Sequence, residues 1–239
     1  MDTQFFDKNL KPAKDLVKFR KPVFSNESEA YKKAREDLMQ QEIEFRRFET
    51  ALAAQRRALP PGPVVAASYR FKDENGNSCS LKDLFGEHTT LVAYFWMYGP
   101  KRARPCPMCT NTLGSMNGNG NDIKQRTAFK VIGRSPIERQ IAFALERGWQ
   151  GLDFVECEND DFAKDLGFLN KDGTENPGIM VFKREGDEVR LFYMVEMPKE
   201  AADPGQDPRV SPDLGTLWNV LDLTPEGRGK DWYPKLSYS

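Results

Sequence analysis

The sequence predicts an α/β fold, a mixed sheet flanked by helices and preceded by a long helical extension. Three observations predict it. Between Ala128 and Cys157 a strand pattern, an amphipathic helix and a further strand pattern follow one another, an order that implies parallel pairing. Ile179 to Phe182 and Val189 to Val195 flank Arg184-Glu185-Gly186-Asp187, the pattern of an antiparallel hairpin. Residues 27–59 contain neither Gly nor Pro, and one helix of about nine turns fits them. A chain of 239 residues with 39% hydrophobic content can bury one substantial core and does not require two full domains.

Residues before the long helix, with Lys11-Pro12 and Lys21-Pro22, read as an irregular arm. Asn26-Glu27-Ser28-Glu29 opens the helix with a capping-box pattern, in which a side-chain oxygen satisfies an otherwise unpaired N–H of the first turn. Along the helix Tyr31, Ala34, Leu38, Gln41, Phe45, Phe48 and Leu52 step alternately by three and four, a narrow stripe on a highly charged surface. The stripe suits docking along its own domain, or a homodimer through the N-terminal helix. Pro60-Pro61-Gly62-Pro63 ends the helix, which divides the chain into an arm and helix over residues 1–62 and a main domain over 63–239.

In the main domain Val64 to Phe71 reads as a strand, Asp73-Glu74-Asn75-Gly76 as a turn, Leu81 to Phe85 as a short helical turn and Thr89 to Met97 as the central strand. Thr110 to Arg126 is rich in Asn and Gly, so the helix there is short or interrupted. Ala128 to Ile132 is a strand; Pro136 to Arg147 is a helix presenting Ile137, Ile141, Ala144 and Leu145 on one face; Leu152 to Cys157 is a strand. Leu214 to Leu223 supplies a last helix before a polar tail. The sheet is expected to be parallel in its first half and to end in the antiparallel hairpin. No internal repeat is visible.

Charge excludes some functions. Basic and acidic residues number 35 and 36, so no global field recruits nucleic acid or a membrane surface. The N-terminal residues lack an apolar run of signal-peptide length, and the longest apolar run, Leu91 to Tyr98, is too short to span a bilayer. A soluble, cytoplasmic protein is expected. Four cysteines in a reducing compartment argue against a structural disulfide framework and for a catalytic or sensing dithiol.

That dithiol is Cys106-Pro107-Met108-Cys109, immediately after the apolar strand. A cysteine at a helix N-terminus meets unpaired backbone N–H groups and the positive end of the dipole, which favour its thiolate. Cys106 would then be the nucleophile, and Cys109, one turn on, could close a disulfide and release a bound partner. Lys101, Arg102 and Arg104 add positive charge, and Pro107 fits the first helical position. A zinc site would need further ligands, and the chain offers only His88, Cys79 and Cys157. His88 precedes the central strand at the end opposite the dithiol and is read as non-catalytic; Cys79 and Cys157 are read as buried strand residues. No metal, nucleotide or flavin signature is present, and no cofactor is expected.

This order, with Pro177 just before Ile179-Met180-Val181-Phe182, resembles the thioredoxin fold. In that superfamily a cis-proline before this strand packs against the dithiol and exposes backbone groups to an incoming peptide, so the resemblance makes Asn176-Pro177 the candidate cis bond and substrate-ordering segment. More specifically, Ala51 to Pro60, Ser80 to Phe85, Cys106 to Cys109, Gly133-Arg134-Ser135-Pro136 and Leu221 to Arg228 resemble the bacterial thioredoxin-like proteins of the domain of unknown function family 899. The family usually has a small residue where Met108 stands, and a more apolar run after the dithiol.

The expected chemistry is thiol–disulfide exchange with a protein or small-molecule disulfide: Cys106 attacks and Cys109 resolves. Lys101 and Arg104 would support the thiolate, Arg134 faces the same sheet edge or forms a surface ion pair, and Tyr98 lines the approach or fills the core. Two alternatives stand beside it. One is a thiol peroxidase related to peroxiredoxins, which the absence of a hydroxyl at Ala103 disfavours. The other is a non-catalytic binding or scaffold module that uses the long helix.

Overall fold

The structure is a computed structural model that describes residues 7, 9–22, 24–195, 216, 223 and 233–237. It forms two compact units, Met1–Pro60 and Pro61–Ser239. In the first, a short helix α1 (Ala13–Leu16) and a 3-10 turn (Val17–Phe19) interrupt the arm, and α2 runs from Glu29 to Arg57. Ser28 is the N-cap of α2: its hydroxyl accepts the Tyr31 N–H at 3.2 Å, satisfying one of the unpaired donors of the first turn. Tyr31, Leu38 and Phe45 of the predicted stripe are exposed, whereas the buried residues of α2 are Ile43 and Ala51.

The second unit carries a seven-stranded sheet in the order β2-β1-β5-β4-β3-β6-β7. Its strands are β1 (Arg70–Lys72), β2 (Ser78–Ser80), β3 (Thr90–Trp96), β4 (Ala128–Gly133), β5 (Phe154–Cys157), β6 (Gly178–Glu185) and β7 (Glu188–Met194). The central strands β3, β4 and β5 are parallel, and β6 and β7 form the expected hairpin, turned at Gly186 with φ +63°. The helices are α3 (Pro107–Asn117), α4 (Gly120–Lys124), α5 (Ile137–Glu146) and α6 (Asp161–Asp165). Parallel strands joined through helices, with an antiparallel hairpin on one edge, give a thioredoxin-like mixed sheet.

Alternation along β3 produces two cores. Leu91, Ala93 and Phe95 join Phe85, Ile132, Phe162, Met180 and Phe182 on one face, while Tyr94 and Trp96 join Leu113, Phe129, Val131, Phe143 and Phe154 on the other. A strand buried on both faces reads as a continuous apolar run, which is why β3 stands out in the sequence. The second core is aromatic: the Trp96 ring lies 4.9 Å from Tyr98, 5.7 Å from Phe143 and 6.0 Å from Trp149.

Several expectations need correction. Val64 to Phe71 is not one strand: the Val65 N–H bonds Val189 O at 2.8 Å beside β7, a turn follows at Ala67-Ser68, and only Arg70 to Lys72 reach the opposite edge as β1. There β1 pairs antiparallel with both β2 and β5, so the early part of the sheet is not wholly parallel. Leu145 is 74% exposed, because α5 buries Ile137, Gln140, Phe143 and Ala144. The Phe143 ring enters the aromatic cluster, and the buried face is turned by about 70° of arc from the predicted one, with Ile137 and Ala144 common to both. Helix α6 was not anticipated.

The Asn/Gly run after the dithiol does interrupt the helix, at Gly118 and Asn119. Its composition serves close packing: Asn117 Oδ1 accepts the N–H groups of Gln150 and Gly151 at 3.0 and 2.9 Å. A Cβ on Gly120 would collide with the Gly151 backbone, 2.7 Å from its carbonyl carbon. The predicted helix over Leu214 to Leu223 lies, apart from Thr216 and Leu223, outside the described residues.

Candidate active site

At the end of β3 the chain leaves the sheet, crosses a loop from Gly99 to Pro105 and returns when the Cys106 N–H bonds Met97 O at 3.1 Å. Cys106 is then the N-cap of α3, with extended backbone (φ −61°, ψ 127°), and Pro107 occupies the first helical position. The N-cap residue faces N–H groups that have no intrahelical acceptor. Thr110 locks the turn, donating both its N–H (3.0 Å) and its hydroxyl (2.9 Å) to Cys106 O.

Both thiols are free, Cys106 half-buried and Cys109 1% exposed. The Cys109 thiol donates to Cys106, which is the main reason the Cys106 thiol is lowered from 9.0 to about 6. Burial opposes the shift; the backbone N–H groups of Cys109 and Met108 and the charge of Arg102 reinforce it. Cys109 moves the other way, well above its ordinary value, because it donates to Cys106 and is desolvated. Beneath it the buried Tyr94 hydroxyl donates to the Cys109 sulfur. The arrangement separates a thiolate at the surface from a protonated thiol below it.

Of the three loop cations, Arg102 is the one whose charge lowers the Cys106 thiol. Its Nε lies 3.3 Å from Glu175 Oε2, and its charge reaches Cys106. Arg104 instead forms a fork with Glu146, Nη1 to Oε2 at 2.7 Å, and lies over the Phe143 ring at 4.8 Å, so its charge is already satisfied away from the thiolate. Lys101 is exposed. Arg134 is no loose surface cation: Nε donates to Asp160 at 2.8 Å and Nη1 to Glu175 at 3.0 Å.

Tyr98 fills the core rather than lining an approach, being 5% exposed between Trp96, Phe143 and the Arg139 guanidinium. Pro177 is exposed, one step beyond the Phe95–Gly178 pair, at the edge of the sheet where β3 ends. Asn176 holds its own turn, with its N–H on Phe168 O at 2.9 Å and its amide on Gly167 O and Asn170 Oδ1.

The other cysteines are set apart from the dithiol across the sheet: Cys157 on β5 and Cys79 on β2 lie two and four strands from β3 and pack in the core on the other face. Cys79 and Cys157 both sit opposite Phe71, on either side of it, about 10 Å apart at two strand spacings. Burial raises Cys79 to about 11 and Cys157 further. His88 is half-buried before β3, its N–H on Phe85 O at 3.0 Å. Among the described residues, no group of three or more His, Cys, Asp or Glu is placed to hold a metal, and no helix is long and apolar enough to cross a membrane.

Tyr94 and Glu175 are additions that local sequence did not mark. Tyr94 could have been found from the alternation of β3, which puts it on the face that α3 covers; nothing local distinguishes Glu175.

Among curated proteins none matches the sequence. Solved structures with a similar fold include peroxidoxin BcpB from Mycobacterium tuberculosis, at 16% identity and TM-score 0.43, covering 57% of this chain and 85% of that one. A hypothetical protein from Sinorhizobium meliloti 1021 matches at 19% identity and TM-score 0.40, covering 64% and 79%. The mitochondrial 2-cys peroxiredoxin from Plasmodium falciparum matches at 14% identity and TM-score 0.39, covering 56% and 79%. At these values no reaction, substrate or partner passes to this chain. The family match is direct: over residues 20–238 the sequence fits the family described as "Bacterial protein of unknown function (DUF899)", and the chain belongs to that family.

Proposed function

We propose that the protein is a thiol–disulfide oxidoreductase. The observation that carries the reading is the asymmetry of the pair: a half-buried Cys106, held as thiolate at the α3 N-terminus, above a buried, protonated Cys109 in hydrogen-bond contact with it. In the first step the Cys106 thiolate attacks one sulfur of a substrate disulfide; the substrate S–S bond breaks and one substrate thiolate leaves. In the second, Cys109 attacks Cys106 Sγ, the mixed disulfide breaks, and the Cys109 proton goes to the second departing thiolate. The substrate gains two electrons, and the protein is left with a Cys106–Cys109 disulfide that an external dithiol reduces.

The burial of Cys109 suits it to the second step alone, since substrate meets Cys106 first. The test is equilibration in glutathione buffers of graded potential with free-thiol counting, in the wild type and in Cys106→Ser and Cys109→Ser. A reversible disulfide between these two, within about −270 to −120 mV, supports the reading. A pair that stays reduced across that range refutes it.

A further inference from the structure

Among the described residues Glu175 is the one charged residue that is buried, at 6% exposure. A buried carboxylate persists only where its charge is matched and its oxygens are bonded. Here Oε2 accepts the Gly99 N–H at 3.0 Å and lies 3.3 Å from Arg102 Nε, while Oε1 accepts Arg134 Nη1 at 3.0 Å. Arg134 is in turn fixed by Asp160 at 2.8 Å. Gly99 is required for this approach, because a Cβ there would collide with the carboxylate, 2.8 Å from Glu175 Cδ. The carboxylate thus grips the loop at its first residue and at Arg102, four residues before Cys106.

We propose that Glu175 is a positioning residue that holds Arg102 beside Cys106, tying the dithiol loop to the segment that leads into Pro177 and β6. Another hold on the loop, beside the Arg104–Glu146 fork, is Arg139, whose guanidinium bonds Arg102 O at 2.7 Å and keeps the backbone, but not the side chain, of Arg102 in place. Placement of the guanidinium therefore falls to Glu175. Cys109 on α3 and Arg102 in the loop both favour the Cys106 thiolate, and Tyr94 on β3 is itself raised by Cys106, so Arg102 is a cation through which Glu175 reaches the thiolate. The purpose of this device rests on the oxidoreductase reading, but its action on Cys106 can be measured without any disulfide turnover.

The measurement is the pH profile of Cys106 alkylation by iodoacetamide in the full chain, read on the Cys106 peptide by mass spectrometry. Arg102→Met removes a nearby unit charge and is expected to raise the midpoint by about one unit. At pH 6 that corresponds to a rate about five-fold lower. Glu175→Ala is expected to shift the midpoint in the same direction and by a similar amount, and the double variant no further than Arg102→Met alone. Glu175→Gln keeps one acceptor oxygen, which can serve both Arg102 and the Gly99 N–H as Oε2 does, while its amide N–H₂ faces Arg134, and it is expected to leave the midpoint at or below the wild-type value.

If the carboxylate acted only as a charge, both Glu175 variants would lower the midpoint, and that result overturns the proposal. Additive shifts in the double variant, or no shift in Arg102→Met, overturn it equally. Should Glu175→Ala fail to fold, Gly99→Ala displaces the carboxylate from the other side: an upward shift supports the proposal and an unchanged midpoint refutes it. Because alkylation needs no disulfide substrate, a protein that exchanges no disulfides would still return one of these answers.

Discussion

Replacing Cys109 with Ala isolates the main cause of the Cys106 thiolate. With the thiol at about 6 rather than 9.0, Cys106 is about 90% ionised at pH 7, against about 1% for an ordinary cysteine. A hydrogen bond to a charged group contributes about 1.5–3 kcal/mol, which corresponds to about one to two pKa units. Cys109→Ala should therefore move the alkylation midpoint from about 6 to about 7–8, the backbone N–H groups and Arg102 retaining the remainder of the shift. At pH 6 the rate should fall by about 5–50-fold, while Cys109→Ser, which keeps a donor, should shift less. Cys79, raised to about 11, serves as the slow internal control. A wild-type midpoint near 9, or no change in Cys109→Ala, would show that the thiolate is not stabilised by its partner. The folded value lies below the unfolded one, so the stabilisation is present above pH 9 and lost as pH falls to 6 and below. The wild type should accordingly lose stability relative to Cys106→Ser across that window in denaturant titrations.

Three further substitutions test the packing. Leu145→Ser should change stability by less than about 0.5 kcal/mol because Leu145 is exposed, whereas Phe143→Ala should cost about 3–5 kcal/mol because its ring completes the aromatic cluster; urea unfolding separates the two, and a costly Leu145→Ser would restore the face predicted from sequence. Gly178→Ala should destabilise by about 1–3 kcal/mol, since its Cβ would stand 2.9 Å from Phe168 Cζ in the ring stacked on Phe95; an unchanged Tm would show that the ring yields freely.

The dithiol was legible because its chemistry is local: an N-cap cysteine, a proline at the first helical position and a partner one turn away all fall within four residues. The central strand was legible because burial on both faces leaves an uninterrupted apolar run. Glu175 was not, because its contacts span 76 residues to Gly99 and 41 to Arg134, and no pattern around it announces burial. The choice of Arg102 over Arg104 was hidden for the same reason, since Glu146, which occupies Arg104, lies 42 residues away. The α5 face was misjudged because periodicity alone does not say that a phenylalanine ring will take precedence over a leucine. Val64 to Phe71 has the composition of one strand, yet the Ala67-Ser68 turn sends its two ends to opposite edges of the sheet.

The double-sided burial of β3 also bears on how such a protein can diverge. Tyr94 and Trp96 belong to the layer under the dithiol, and Leu91, Ala93 and Phe95 to the layer behind it. A change at an even-numbered position alters the floor of the thiol pair and leaves the contacts of its odd-numbered neighbours intact. The surroundings of the thiol pair can therefore be altered through one side of a single strand, while the reverse side keeps the scaffold unchanged.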